Sequence, residues 1–147
     1  MELGVCKYNE IIAIMKELEY KAKIAVMKIL NDIVNADNVV KDVEVNYMNE
    51  VASTLELAEN YMKDVNSLVT LQALSIVRVL SADIKEKIAQ LMGKMIVIDE
   101  DINYNEVKLY NAVCESCNIE KDFNVEDYPD YTLSGPFVNP EDLMNAQ

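Results

Sequence analysis

The sequence predicts an all-α fold, a compact helical bundle built from two related helix–loop–helix units, and three observations lead there. Only three Gly and three Pro occur in 147 residues, so the chain lacks the turn residues an all-β domain needs at its corners. All three prolines fall in the final 19 residues, leaving the rest free of the strongest helix breaker. Along that remainder, apolar residues recur at steps of three and four. With 51% hydrophobic residues the chain can fill one sizeable core, expected over residues 1–118, with an irregular C-terminal arm over 119–147.

The first helix is read from Ile11 to about Ala36, with Met15, Leu18, Ala22, Val26, Ile29 and Ile33 on its apolar stripe. A second runs from about Asp42 to Leu57, carrying Val45, Met48, Val51, Ala52 and Leu55 on one side. The stretch "SLVTLQALSIVRVL" from Ser67 to Leu80 reads as one helix or two short ones, with a strand as the alternative over "LSIVRVL" because of its β-branched residues. Ser81 then caps a helix that continues to about Ile98, with Asp83 in its first turn and Ala89, Met92, Met95 and Ile96 inward. The last core helix spans about Asn103 to Cys117, with Val107, Tyr110, Ala112, Val113 and Cys117 inward. Beyond Asn118, the aromatics Phe123, Tyr128, Tyr131 and Phe137 are expected to lay the arm on the bundle, and "NPEDLMNAQ" to close it with one helical turn.

Charge narrows the function classes. A formal net charge of −13 with no Lys/Arg cluster argues against nucleic acid and anionic membrane surfaces, both of which require concentrated positive charge. Residues 1–35 carry five Lys and five acids, whereas residues 115–147 carry one Lys against eight acids, so basic partners or divalent cations are the natural counterparts. No apolar run approaches the roughly 18 residues of a membrane span, and "MELGVCKYNEII" lacks the layout of a secretory signal. Three cysteines, Cys6, Cys114 and Cys117, fit reduced thiols, so a cytoplasmic location is expected.

Residues 25–51 overlay 87–113. Asp37 falls on Asp99, Val40 on Ile102, Glu44 on Glu106, Asn49 on Asn111 and Val51 on Val113, while Val26, Ile29, Leu30, Ile33 and Val34 pair with Ile88, Leu91, Met92, Met95 and Ile96. The shared loop, D-x-x-[VI]-x-x-x-E, places an acid after the first helix, an aliphatic residue into the core and a glutamate in the next helix. Asn103 and Glu106 form a variant capping box, whereas Lys41 is a poor cap ahead of Glu44, so capping alone does not account for both glutamates.

A hydrophobic helix, an acid, a β-branched residue three later and a Glu seven later, in two copies, resembles the tellurite-resistance TerB-like family. Its second copy usually reads A-D-G-x-[IV]-x-x-x-E-x-x-x-[LI]; "IDEDINYNEVKLY" supplies Asp99, Ile102, Glu106 and Tyr110, and "TLQALSIVRVLSADIKEKIAQLMGKM" resembles the preceding short helix, serine-led turn and long helix. The resemblance covers residues 17–118. Glu100 stands where the family has glycine, and Asn38 holds that place in the first copy, so a tight turn there needs a non-glycine residue in the left-handed region. The resemblance implies a compact bundle, no catalytic activity, acidic positions that bind divalent metal, and a role in stress response or phage defence.

The candidate metal ligands are Asp37, Glu44, Asp99 and Glu106, whose oxygens suit calcium, magnesium or manganese if the two loops converge. The competing reading makes them ordinary caps and solvated acids. An EF-hand starting at Asp99 fails, because Tyr104 holds its glycine position and Tyr110 its bidentate glutamate position. Cys114 and Cys117 form a CxxC near a helix C-terminus, the wrong end to activate a thiol, and with no histidine a zinc site lacks ligands. No nucleophile, glycine-rich phosphate loop or histidine accompanies the acids, so no enzyme is expected. The expected function is a non-enzymatic module acting through a protein partner or self-association; the alternative is a metal-free scaffold that uses its acidic arm.

Overall fold

The computed structural model describes residues 13–135. Within them the chain forms α1 (Tyr20–Val34), α2 (Asp42–Thr54), α3 (Tyr61–Ser67), α4 (Thr70–Arg78), α5 (Ala82–Val97), β1 (Asp101–Asn103), α6 (Tyr104–Cys117), a 3-10 turn (Val125–Asp127) and β2 (Thr132–Ser134). The bundle is helical as expected; among the described residues the exception is β1 paired in parallel with β2, Ile102 opposite Leu133. Helix α1 lies at the centre and packs against the five other helices. Its buried residues include Ala22, Ile24, Ala25, Val26, Met27, Ile29, Leu30, Ile33 and Val34, the nearly all-round apolar pattern of a helix enclosed by its neighbours.

The long first helix is corrected. Residues 13–15 are helical, but the backbone then turns, with the Leu18 N–H donating to the Met15 carbonyl at 3.1 Å and Glu19 taking an extended N-cap conformation before α1 begins. The expected start at Ile11 lies outside the described residues, as do Phe137 and the expected C-terminal turn. Helix α2 stops at Thr54, and Val45 is 39% exposed because it stands off the stripe that Met48, Val51 and Ala52 bury. Residues 67–80 resolve into the end of α3 and all of α4, so the strand alternative is not taken up. Ser81 caps α5 as expected, its Oγ accepting from the Ile84 N–H at 3.3 Å. Ala112, expected inward, is exposed.

The internal repeat reaches further than the sequence overlay. The shift that takes Asp37 to Asp99 also takes the first residue of α2, Asp42, to the first of α6, Tyr104, and the first of α1, Tyr20, to the first of α5, Ala82. It extends to the helix ends. Glu56 (φ 63°) and Asn118 (φ 56°) both stop their helices in the left-handed region. Behind them the Leu57 N–H donates to the Ala52 carbonyl at 3.0 Å and the Ile119 N–H to the Cys114 carbonyl at 2.8 Å, the six-residue closure of a Schellman turn. Lys23 Nζ donates to the Leu55 carbonyl at 2.8 Å, and its counterpart Lys85 Nζ to the Cys117 carbonyl at 3.0 Å. Each unit therefore ties the start of its first helix to the end of its second.

The arm is not merely irregular, since it contributes the 3-10 turn and β2. The buried Tyr110 hydroxyl accepts from the Asp122 and Phe123 N–H groups at 2.8 and 3.0 Å. Phe123 meets Tyr110 edge-on at 5.8 Å and stacks on Tyr128 at 5.7 Å, with Tyr131 beyond. These three rings are partly buried against the core.

Candidate functional site

Both acid loops begin with the same local chemistry. The Val39 N–H donates to Asp37 Oδ1 at 3.0 Å and the Asp101 N–H to Asp99 Oδ1 at 3.1 Å, the two-residue bond by which aspartate stabilises a turn. Between donor and acceptor stand Asn38 (φ 62°) and Glu100 (φ 61°), so the positions where the family has glycine do take the left-handed conformation. Asn tolerates it readily, whereas Glu bears a cost on the order of 1 kcal/mol.

Glu44 and Glu106 come next, four residues after the aliphatic position, and both are buried, 1% and 2% exposed. Their carboxyl groups are hydrogen-bonded to each other. A residue touching its own repeat counterpart is what a local twofold relation between the units produces. Two carboxylates in such contact cannot both ionise cheaply. Burial, then the charge and hydrogen bond of Glu44, push Glu106 up to about 10, with Asp37 and Asp99 adding to the effect. Burial also raises Glu44, opposed by the Lys41 N–H that donates to its Oε1 at 3.1 Å. Glu106 therefore keeps its proton at neutral pH and donates it towards Glu44. The four predicted residues are brought into one electrostatic cluster, because the charges of both Asp37 and Asp99 act on both glutamates.

The capping readings are partly reversed. Lys41, the poorer cap in the sequence, keeps half of a capping box through its N–H bond to Glu44. Asn103 caps α6 by accepting from the Asn105 N–H at 2.8 Å, while the carboxyl of Glu106 is engaged with Glu44.

Sequence reasoning missed Lys41, Asp101, Thr132 and Ser134 as members of this cluster. Lys41 Nζ donates to Asp99 Oδ2 at 2.5 Å and lies 3.5 Å from Asp101 Oδ2. Thr132 Oγ1 and Ser134 Oγ donate to the two oxygens of Asp101 at 2.8 and 2.9 Å. Burial works against ionisation of Asp101, yet these hydroxyls and the Lys41 ammonium outweigh it and lower its pKa. Lys41 is the lone cation in "ADNVVKDVEV", a signal that was there to be found. The hydroxyls lie about 30 residues away in an arm with no periodicity, and nothing local announced them.

Oxygen-only donors suit a hard cation. Among the described residues, however, no group of three or more Asp, Glu or Cys is arranged to hold an ion. Burial pushes the Cys114 thiol up to about 11 and raises Cys117, whose Sγ donates to the Leu74 carbonyl at 3.5 Å, so both thiols stay protonated and unreactive at neutral pH. No described helix is long and apolar enough to cross a membrane.

A crystal structure of a protein of unknown function from Porphyromonas gingivalis W83 shares the fold, with a TM-score of 0.60 at 20% identity over 72% of this chain and 89% of that one. No curated protein matches the chain. The family model described as tellurite resistance protein TerB matches residues 6–67. That match takes in the first unit and its loop from Asp37 to Glu44 and stops before the second unit, whereas the sequence resemblance spans residues 17–118. Residues 6–67, which hold the first helical unit, are thus similar to the TerB family.

Proposed function

We propose that this chain is a non-enzymatic TerB-like helical module whose paired loops respond to a divalent cation and which serves stress response or phage defence through protein contacts. The observation that carries the cation reading is the buried Glu44–Glu106 pair flanked by Asp37 and Asp99. Such a cluster stores electrostatic repulsion that a hard cation would relieve. Asp37, Glu44, Asp99 and Glu106 would hold calcium, magnesium or manganese only by drawing closer together, since they are not arranged around an ion in its absence.

A second reading rests on a different observation. Lys41 Nζ already pairs with Asp99, and Glu106 is held protonated beside Glu44, so on this reading the acids are compensated from within and the module is a metal-free scaffold. Thermal melts in excess monovalent salt, where nonspecific screening is saturated, separate the two. Under the cation reading, calcium or manganese raises the melting temperature, Asp99→Asn abolishes the increment, and Lys41→Met enlarges it by removing the internal competitor. Under the scaffold reading the cations do nothing and both variants melt lower.

A further inference from the structure

We propose that the extended stretch 39–41, with the apolar surface of Val39, Val40 and Val43, is a docking edge that receives an extended basic and apolar segment of a partner protein as an added strand. Its repeat counterpart shows the mode. Asp101–Asn103 form β1 and pair in parallel with Thr132–Ser134, and Lys41 (φ −102°, ψ 149°) has the same extended backbone as Asn103 (φ −90°, ψ 132°). In that covered copy Ile102 is fully buried, whereas Val40 is 48% exposed, Val39 54% and Val43 39%. Residues 39–41 belong to no strand. The Asp37 turn bond to the Val39 N–H is no obstacle, because the identical bond to Asp101 coexists with strand pairing.

The occupant follows from charge and from where the arm goes. The described part of the chain's own arm, residues 119–135, is committed to β1, held by Tyr110 and by the hydroxyl bonds to Asp101. A second copy would bring another −13 to an edge flanked by Asp37 and Asp42, with the Lys41 ammonium turned onto Asp99. Apolar side chains alternating with Lys or Arg satisfy the valines and the acids together, and the backbone supplies the rest of the affinity. Cation binding plays no part in this contact, which gives the protein-contact side of the function proposed above a location and rests on that side alone.

The test is selection from a phage-displayed library of random dodecapeptides on the full chain in chelator-containing buffer. The expected binders alternate β-branched residues with Lys or Arg, and Val40→Asp weakens them about tenfold or more while the melting temperature holds. Should Val40→Asp fail to fold, Val39→Asp, at the most exposed of the three positions, takes its place. Binders that ignore both substitutions overturn the edge while leaving protein contacts elsewhere intact. Absence of any enriched peptide overturns it as well. Sedimentation showing a wild-type dimer that Val40→Asp dissociates would make the occupant a second copy and overturn the choice of partner.

Discussion

Loop 37–44 and loop 99–106 share an aspartate turn, a left-handed residue and a buried glutamate, yet Val40 is 48% exposed where Ile102 is wholly buried. The first four residues after each helix are dictated locally, by the aspartate bond and the left-handed backbone. Whether the aliphatic residue then leaves water depends on what arrives from elsewhere. In the second unit the arm arrives, pairing β2 with β1 and closing Asp101 between two hydroxyls. One motif thus yields a sealed loop and an open one.

Removing residues 119–147 should make the second loop as bare as the first, and this is the largest effect expected. Three partly buried rings, the Asp101 hydroxyl bonds and the closure at Ile119 go together. At roughly 1–2 kcal/mol per partly buried ring, the loss should reach about 3–6 kcal/mol. For a domain of this size that lowers the melting temperature by on the order of 10 °C or more in calorimetry. A truncated chain that melts like the full one would mean that the arm covers the second loop without stabilising it.

The glutamates test the symmetry where the units meet. Glu106 keeps its proton in the folded state up to about 10, whereas an unfolded glutamic acid loses its proton near pH 4. Across that interval the folded chain binds the additional proton, so stability is greatest on the acid side and falls as pH rises towards the folded value. Glu106→Gln, which preserves a donor to Glu44, should flatten that fall in urea denaturation between about pH 5 and 9. Parallel wild-type and Gln curves would mean that the proton resides elsewhere.

How much of this was legible follows from the range of each interaction. Helices α5 and α6 were readable nearly to the residue, because Ser81, Asn103 and the apolar stripes act within a turn or two of where they stand. The break before α1 was missed because Glu19, unlike Ser81, carries no capping signature; pairing the two positions through the repeat would have exposed it. The meeting of Glu44 with Glu106 was legible because the repeat names them counterparts, whereas Asp37 and Asp99 act on the pair only through their charge. Lys41 was read only as a poor cap, although its ammonium reaches across to Asp99. The partnership of Thr132 and Ser134 with Asp101 joins segments far apart in an aperiodic sequence, beyond any pattern a single chain offers.

The smallest expected effect probes a feature that both units keep. Lys23 and Lys85 each carry an ammonium from the first turn of one helix to the last carbonyls of another, where the helix dipole favours positive charge. Lys23→Met and Lys85→Met retain the aliphatic stem and remove only the donor and its charge. Each should cost about 1 kcal/mol, given partial exposure and one hydrogen bond to a charged group. Lys85 also donates to the Arg78 carbonyl at 3.2 Å, so its loss should be slightly the larger. Because the two sites share no partner, the double variant should lose the sum within a few tenths of a kcal/mol, in about the usual range for separate sites. Urea denaturation of the four proteins measures this directly. A Lys85→Met variant as stable as wild type, beside a weakened Lys23→Met, would show that Ile119 and the arm hold the end of α6 without the lysine. The repeat would then be an inherited geometry whose bonds still matter in the uncovered unit and have become redundant in the covered one.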